Sequence, residues 1–495
     1  MIATSPTQDA LVARYEAGHG TLVWRTQVAD LQTPVAAYLK LAAGQANTFL
    51  LESIEGGTAR SRYSIIGMAP DLIWRCQNGQ AVLARNGTPE PDPRPALDSL
   101  RALIAEAQMD LPEHLPPMLG GLVGYLGYDM VRLMERLPDH NTDALGLPDA
   151  ILLRPTLFAV FDNVRDELTL AAPVYPRPGT GAAAAWDAAQ RALDAAEAAL
   201  LQPLPPPAAP VALPPPPEPQ SNMTQAAFMA IVDRMKEHIA AGDVFQVVPS
   251  QRFSVPFTLP PLALYRALRR INPAPFLFFL DFGSFAVVGS SPEILVRLRD
   301  DTVTIRPLAG TRPRGATREA DNALAAELLA DPKERAEHLM LLDLGRNDVG
   351  RAAALGTVRV TEQFNIERFS HVMHISSTVE GTIKPGLCAL DALIAGFPAG
   401  TLTGAPKIKA MEIIEMLEPT RRGIYAGCIG YFAANGTMDT CIGLRTAVVK
   451  DGTMYVQAGG GVVADSTALG EYEETRQKSR ALFRAAEEAV RFAAL

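Results

Sequence analysis

Cysteines are rare in this chain, and long apolar runs are missing. Only four cysteines occur in 495 residues, and none are at the close spacing of a paired metal ligand. No apolar stretch approaches the ~20 residues needed to span a bilayer. The N-terminus also lacks the basic segment followed by an apolar one that marks a secretory signal. These absences favour reduced thiols over a disulfide framework, and they predict a cytoplasmic protein with no membrane segment.

Blocks of basic residues are also missing. The formal net charge is −9, which argues against a nucleic-acid partner. A local basic pocket for an anionic metabolite remains compatible with this charge. A composition of 48% hydrophobic and 20% charged residues is that of a globular protein. The length exceeds one ordinary core, so we expect two lobes or one large, elaborated domain.

One boundary is plain in the sequence. The stretch 202–220 contains ten prolines in nineteen residues. Proline removes amide donors and fixes φ, so this stretch predicts an extended spacer. We therefore divide the chain into an N-terminal region (1–201), a Pro-rich linker (202–221) and a C-terminal region (222–495). Hairpin-like neighbouring strands in both regions indicate an antiparallel α+β fold rather than a doubly wound one.

Two short stretches each place a pair of glutamates three residues apart in a predicted helix. They are Glu334 and Glu337 in "KERAEHL", and Glu471 and Glu474 in "EYEETRQK". Residues at this spacing share a helical face. Two such pairs from different helices could supply carboxylate oxygens to Mg²⁺. Solvated helix surface, or acidic residues in a first helical turn, would explain the same spacing.

Further polar residues interrupt apolar segments or form special loops. Glycines 459–461 follow a strand and could bind an anion through their amides, or simply form a turn. The loop 306–315 carries three arginines that suit either carboxylate ligands or nearby acidic helices. Arg445 in an apolar strand needs an anionic partner. Gln246 could line a pocket and His374 could be a general base, although either could be purely structural.

Taken together, these segments resemble the chorismate-utilising enzymes. The resemblance covers the chain from about residue 222 to its end, and it is carried in order by "GDVFQVVPSQRF", "GSSPEIL", "RPLAGTRPRG", "ERAEHLMLLDLGRNDVGR", "HVMHISSTVEG", "GTLTGAPKIKAMEII", "QAGGGVVADS" and "EYEETRQKSRAL". In the N-terminal region, "FLLES" at 49–53 with the following "RYSIIG" is similar to the large subunits (component I) of anthranilate synthases.

This resemblance implies a fold and a set of site residues. The implied fold has two antiparallel β-sheets packed as a sandwich, helices around it and the active site in a cleft. Glu337 and Glu474 match direct Mg²⁺ ligands, with Glu334 and Glu471 as their supports. The residues that match substrate contacts are Gly310, Thr311, Tyr425, Arg445, Gly459, Gly460, Gly461 and Lys478. Glu293 matches the acid that assists loss of the 4-hydroxyl, and His374 matches the residue implicated in pyruvate elimination.

Two positions distinguish the reactions within the family. Relatives that add water carry a lysine base where this chain has Gln246, and a neutral amide cannot activate water. Aminodeoxychorismate synthases carry a nucleophilic lysine where this chain has Ala309, which cannot form a covalent bond. The resemblance therefore implies addition of ammonia at C2 of chorismate, followed by pyruvate elimination to anthranilate, the first step of tryptophan biosynthesis. A catalytically inactive metabolite-binding regulator is the alternative from another class.

The resemblance also implies a partner and an inhibitor. No histidine follows Cys428, so an amidotransferase triad is missing there and a separate glutaminase subunit is expected to supply ammonia. Tryptophan feedback is implied by segments matching the inhibitor site, namely Glu52, Ser53, Pro275, Phe276 and Leu277. The family usually reads Pro-Tyr-Met at the last three positions. Loss of the phenol hydroxyl at Phe276 would remove one hydrogen bond, worth ~1 kcal/mol net.

Overall fold

The structure is a computed structural model that describes residues 5–55, 59–60, 62–204, 217–369 and 372–493. Its α-helices are α1 (Gln8–Glu16), α2 (Pro34–Leu41), α3 (Ala96–Glu106), α4 (Ala182–Leu201), α5 (Gln225–Ala240), α6 (Pro261–Ile271), α7 (Arg318–Ala330), α8 (Pro332–Ala352), α9 (Ala389–Gly396), α10 (Lys407–Leu417) and α11 (Ala468–Glu488).

The strands of the N-terminal region are β1 (Thr21–Val28), β2 (Thr48–Glu52), β3 (Ile54–Glu55), β4 (Ala59–Arg60), β5 (Tyr63–Gln77), β6 (Gln80–Arg85), β7 (Thr88–Pro91), β8 (Gly121–Leu126), β9 (Ala150–Asp162) and β10 (Glu167–Val174). The later strands are β11 (Gln220–Ser221), β12 (Gln246–Val247), β13 (Ser250–Pro256), β14 (Phe276–Asp281), β15 (Phe285–Ser291), β16 (Ile294–Arg299), β17 (Thr302–Ile305), β18 (Leu308–Pro313), β19 (Arg359–Arg368), β20 (Val372–Thr382), β21 (Gly404–Ala405), β22 (Cys428–Ala433), β23 (Met438–Ile442), β24 (Thr446–Lys450) and β25 (Thr453–Gly459).

The large sheet is antiparallel and consists of two runs of strands. The first run has the order β1-β10-β9-β5-β2-β14-β15-β24-β25-β13-β11. The second run has the order β7-β6-β5-β9-β8-β22-β23-β16-β17-β20. Strand β18 also pairs with β20, as does β19. The two runs share the long strands β5 and β9, whose pairing shifts register between Pro70 and Leu72.

Alternation along the strands distributes the core. Phe278 of β14 packs in a cluster that also contains Trp74 and Val296 of the second run. Its neighbour Phe279 points to the opposite face and packs with Leu264 of α6 and other helical side chains. The antiparallel α+β class is confirmed. The packing of the two runs as a sandwich stays a prediction. The core cluster that contains residues of both runs favours it.

The N- and C-terminal regions contribute strands to the same sheet. Strand β2 pairs with β14, and β8 pairs with β22. The predicted division at the Pro-rich linker therefore separates two segments of chain that fold together, and its exact bounds stay a prediction. The middle of that linker, 205–216, lies outside the described residues. Among the described helices, none is both long and apolar enough to cross a membrane.

Candidate active site

The two glutamate pairs lie in the first two turns of helices with N-terminal caps, with Glu334 and Glu471 in the first turn of each. The Asp331 carboxylate accepts hydrogen bonds from the amides of Lys333 and Glu334, and Pro332 occupies the first turn of α8. At the start of α11, the Thr467 hydroxyl accepts from the amide of Gly470. These caps define where each helix begins, and acidic side chains are favourable there.

The two pairs lie near each other in the structure. Glu474 of α11 is close enough to Glu337 of α8 for its charge to raise the pKa of Glu337. A Cβ added at Gly460 would lie 2.5 Å from Glu471 Oε2, and one added at Gly310 would lie 3.0 Å from Glu334 Oε2. The glycines therefore allow backbone to approach the carboxylates closely.

Three of these carboxylates contact a basic side chain. The oxygen-to-nitrogen distances are 3.0 Å for Glu334–Arg312, 3.9 Å for Glu337–Lys333 and 2.7 Å for Glu474–Lys478. The remaining one, Glu471, has a buried Oε2 with no hydrogen-bond partner among the described residues. We call Glu334, Glu337, Glu471 and Glu474 the carboxylate cluster.

The carboxylate cluster has the chemistry of a cation site. Burial raises the pKa of both Glu337 and Glu471, and neighbouring carboxylates add to the effect. A hard divalent cation would relieve both the repulsion and the unpartnered Glu471 oxygen. In the described residues, no group of three or more histidine, cysteine or acidic side chains already has metal-binding geometry.

Glu293 lies between β15 and β16 and is buried. The amide of Leu308 donates to its Oε1 at 3.3 Å, and Thr401 lies beside it in a small cavity. Burial raises the pKa of Glu293 to about 8, although the nearby Arg445 and Lys478 oppose this shift. Its carboxyl group is therefore largely protonated at neutral pH and can donate a proton.

His374 of β20 faces the same region. Its Nδ1 lies 2.8 Å from the carbonyl oxygen of Gly310 and 3.2 Å from the hydroxyl of Thr311. Because a carbonyl can only accept, Nδ1 carries the hydrogen and Nε2 holds the free lone pair. Nε2 is buried and has no partner among the described residues. Burial, with the charges of Arg445 and Lys478, lowers the pKa of His374 to about 4, so the ring is neutral.

Arg445 and Tyr425 are two further predicted substrate contacts. Arg445 interacts electrostatically with Glu293, and the Tyr425 ring lies 5.5 Å from the Arg422 guanidinium. Arg445 adopts a φ of +49° immediately before β24, and its guanidinium has no carboxylate at ion-pair distance within the described part of the chain. Burial lowers its pKa, with the charge of Glu293 opposing this. The pKa of the Tyr425 phenol is raised well above its usual value by burial. A partly buried cation without a paired anion is suited to an anionic ligand.

The glycine run lies against both the carboxylate cluster and Gln246. Lys478 Nζ donates to the carbonyl of Gly459 at 2.9 Å, and the amide of Gly460 donates to Pro249 at 3.2 Å. Any side chain at Gly461 would overlap the Gln246 amide. The Oε1 of Gln246 is buried and, among the described residues, unpartnered.

The arginines of the loop 306–315 all bind protein carboxylates. Arg312 and Arg314 contact acidic residues of α7 and the start of α8, as their second interpretation predicts, whereas the partner of Arg306 lies in strand β19. Arg312 contacts Glu327, Asp331 and Glu334. The other two pairs are Arg306–Glu367 and Arg314–Asp321. Sequence reasoning missed Thr401 as a neighbour of Glu293, although "GTLTG" places two hydroxyls in a glycine-bounded loop.

The five residues of the predicted inhibitor site line one cavity of about 530 Å³. They are Glu52, Ser53, Pro275, Phe276 and Leu277. The Glu52 carboxylate accepts hydrogen bonds from Tyr265 at 2.6 Å and from Arg269 at 2.6 and 2.8 Å. We call this space the Glu52 cavity. Its lining also includes Pro292 and Ile294, which flank Glu293.

A family model described as chorismate binding enzyme matches residues 46–484. The chain belongs to the chorismate-binding enzyme family. Among curated members, it is 56% identical over 492 residues to anthranilate synthase component 1 of Cereibacter sphaeroides, covering 97% of each chain. It is 49% identical over 470 residues to anthranilate synthase component 1 of Pseudomonas putida, covering 92% of this chain and 93% of the relative.

Two solved structures have a similar fold. Anthranilate synthase component I from Streptococcus pneumoniae has a TM-score of 0.76 and 37% identity, with 92% of this chain and 99% of that one covered. MenF, the menaquinone-specific isochorismate synthase of Escherichia coli, has a TM-score of 0.70 at 20% identity, with 96% and 99% covered, and shows the shared fold.

Proposed function

We propose that this chorismate-binding enzyme is the large subunit of an anthranilate synthase, a lyase acting in the cytoplasm on chorismate. One observation carries the proposal: two distant helices bring four carboxylates together beside a buried acid, a neutral histidine and an unpaired arginine. Relatives at 56% and 49% identity named anthranilate synthase component 1 support this particular activity.

The carboxylate cluster is the proposed Mg²⁺ site. Glu337 and Glu474 are the proposed direct ligands, and Glu334 and Glu471 support them. When bound, Mg²⁺ supplies positive charge for the ring carboxylate of chorismate and keeps it oriented. Lys478, whose Nζ lies 2.7 Å from Glu474 Oε1, is a further proposed contact of the ring carboxylate of chorismate.

The chain's own residues account for the proton transfers. Glu293 is protonated at neutral pH and donates its proton as the 4-hydroxyl leaves as water. Neutral Gln246 cannot deprotonate water. Ammonia is nucleophilic without deprotonation, so ammonia adds at C2. The free Nε2 of His374 then takes the C2 proton as the C3–O bond breaks, and the ring becomes aromatic. The enolpyruvate that leaves gains a proton at its methylene carbon and becomes pyruvate.

The remaining contacts orient the substrate. Arg445 is the proposed partner of the enolpyruvyl carboxylate, with Tyr425 beside it. Gly459, Gly460 and Gly461 allow the substrate to approach the backbone, and Gly310 and Thr311 are further proposed contacts. Their small size suits a bulky, doubly negative ligand lying against the carboxylate cluster.

A glutaminase subunit is the proposed source of ammonia. The designation component 1 in the relatives' names supports the existence of a second component. Tryptophan is the proposed feedback inhibitor, bound in the Glu52 cavity. The volume of about 530 Å³ and the lining by all five predicted residues support this assignment.

The identity of the product tests the proposal. Purified protein supplied with chorismate, Mg²⁺ and ammonium salts should form fluorescent anthranilate and equimolar pyruvate. Mass spectrometry separates this outcome from isochorismate, which the water-adding relatives make, and from 4-amino-4-deoxychorismate. Either of those products would reject the proposal, as would the absence of turnover expected of a binding regulator.

A further inference from the structure

A completely buried contact joins α8 to β20 directly behind the carboxylate cluster. His338 follows Glu337 in α8, and its Nε2 lies 2.6 Å from the hydroxyl of Ser377 in β20. Both side chains are 0% exposed. The contact therefore lies inside the protein and not on the side of the site that a substrate can reach.

A distortion of β19 completes this contact. The amide of Phe364 donates to the Ser377 hydroxyl at 3.1 Å. To do so, Phe364 adopts a φ of +54°, and the pairing of β19 with β20 shifts register between Glu362 and Asn365. A left-handed conformation is rare for a bulky residue, and such strain persists where the surroundings enforce it, often near functional sites.

The Phe364 ring packs between two side chains of α8. It meets the His338 ring edge-on, with centroids 5.0 Å apart, and the Arg335 guanidinium lies 4.6 Å from its centroid. Arg335, His338, Phe364 and Ser377 thus hold the second turn of α8 against the β19–β20 pair. We call these four residues the α8 anchor.

The α8 anchor connects the helix that carries two of the proposed Mg²⁺ ligands to the strand that carries His374. Ser377 is three residues beyond His374 on β20, and because side chains alternate along a strand the two point to opposite faces. One face of β20 thus holds His374 toward the site while the other holds α8, with Glu334 and Glu337, from behind.

We propose that the α8 anchor is a positioning device that fixes the Glu337 carboxylate relative to His374. This inference rests on the proposed function of the site. His338 and Ser377 are buried away from the site, so the anchor acts by holding the elements that carry Glu337 and His374. Groups that hydrogen-bond directly to metal ligands contribute about 10–100-fold in metal affinity or activity. The anchor acts on Glu337 through the backbone of α8, and we take this range as the scale of its effect.

The test compares two buried serines. Ser377→Ala removes the hydroxyl shared by His338 and Phe364. Ser99→Ala is the matched control, since Ser99 is also 0% exposed and accepts from the Trp74 ring N–H at 3.0 Å, far from the site. We expect similar losses of thermal midpoint. Only Ser377→Ala should lower kcat with a smaller change in KM, and weaken Mn²⁺ binding measured by electron paramagnetic resonance, each by about 10–100-fold.

A second variant avoids dependence on one substitution. Phe364→Gly keeps the amide donor and tolerates the positive φ, but it removes the ring between Arg335 and His338. It should lower kcat and Mn²⁺ affinity in the same direction. If both variants lose stability while kcat and Mn²⁺ affinity remain within twofold of wild type, the anchor is only structural and the inference is wrong. Failure of the proposed function would instead appear as a wrong product from the wild-type protein.

Discussion

The carboxylate cluster and the Glu52 cavity differ in how completely their acidic side chains are paired with hydrogen-bond donors and cations. In the cluster, Glu471 keeps a buried oxygen without a partner among the described residues, and Lys333 is 3.9 Å from Glu337. In the cavity, Glu52 is fully engaged by Tyr265 and Arg269. The four carboxylates of the cluster thus have contacts to three basic side chains and leave Glu471 without one, whereas the charge of Glu52 is already balanced.

The carboxylate cluster is therefore suited to binding a cation through charge, and the Glu52 cavity to binding a ligand through its shape. Removing a carboxylate from the cluster should act on a bound cation and on catalysis, with a large effect. Changing the wall of the Glu52 cavity should act on the fit of a ligand of amino-acid size, with a modest effect. The following predictions test that ranking.

Replacing Glu337 or Glu474 by glutamine should have the largest effect. Each change keeps the shape but removes a charge that the proposed cation needs, and several kcal/mol of such stabilisation correspond to about 10³-fold or more in rate. Anthranilate fluorescence under saturating chorismate measures the loss. Glu473→Gln is the control, because Glu473 is on the same helix but half-exposed and 3.9 Å from Arg476. Full turnover in both cluster variants would contradict the metal assignment.

Glu293→Gln should have the second-largest effect. The rate should fall by about 10²–10⁴-fold, because glutamine cannot act as the acid. The pKa of about 8 fixes the sign of the pH dependence. Below that pH the carboxyl group is protonated and active, and as the pH rises through it the proton is lost. The wild-type kcat should therefore fall above about pH 8. A rate that increases steadily to pH 10 would exclude Glu293 as the acid.

His374→Asn should change which species accumulates. The amide still donates to the Gly310 carbonyl but provides no base at the Nε2 position, so pyruvate elimination should slow by about 10²-fold. Mass spectrometry should then detect the aminated intermediate, which still carries the enolpyruvyl group. Equal slowing of chorismate consumption and anthranilate release, with no intermediate, would place His374 outside the elimination step.

Phe276→Tyr in the Glu52 cavity should have the smallest effect. It restores the phenol that the family usually has there, and one added hydrogen bond of ~1 kcal/mol would strengthen tryptophan inhibition by about fivefold. Inhibition curves at fixed chorismate measure this, and kcat without tryptophan should stay unchanged. An altered kcat with unchanged inhibition would mean that Phe276 serves the catalytic core instead.

The sequence predicts the local features well and the long-range ones poorly. The spacing of Glu334 and Glu337 predicts their shared face because helix geometry depends only on neighbours. Alternating strands likewise predict an antiparallel sheet. The pairing of β2 with β14 joins residues more than two hundred positions apart, and no local pattern specifies it. The resemblance, and not the spacing, identified the Glu52 cavity.

Properties that depend on burial also had to come from the structure. The pKa of Glu293 is raised because the folded chain removes it from water, and "GSSPEIL" by itself contains no sign of this. Arg312 was visible as one arginine of a polar loop, but its three acidic partners come from α7 and the start of α8. The left-handed conformation of Phe364 has no sequence signal either.

Metal binding by the carboxylate cluster tests the central claim most directly. Mn²⁺ can replace Mg²⁺ at carboxylate sites and is visible by electron paramagnetic resonance. In the presence of chorismate, the wild-type protein and Glu473→Gln should bind one Mn²⁺ ion per chain, and Glu337→Gln and Glu474→Gln should lose it. Equal Mn²⁺ affinity in all four proteins would contradict the account.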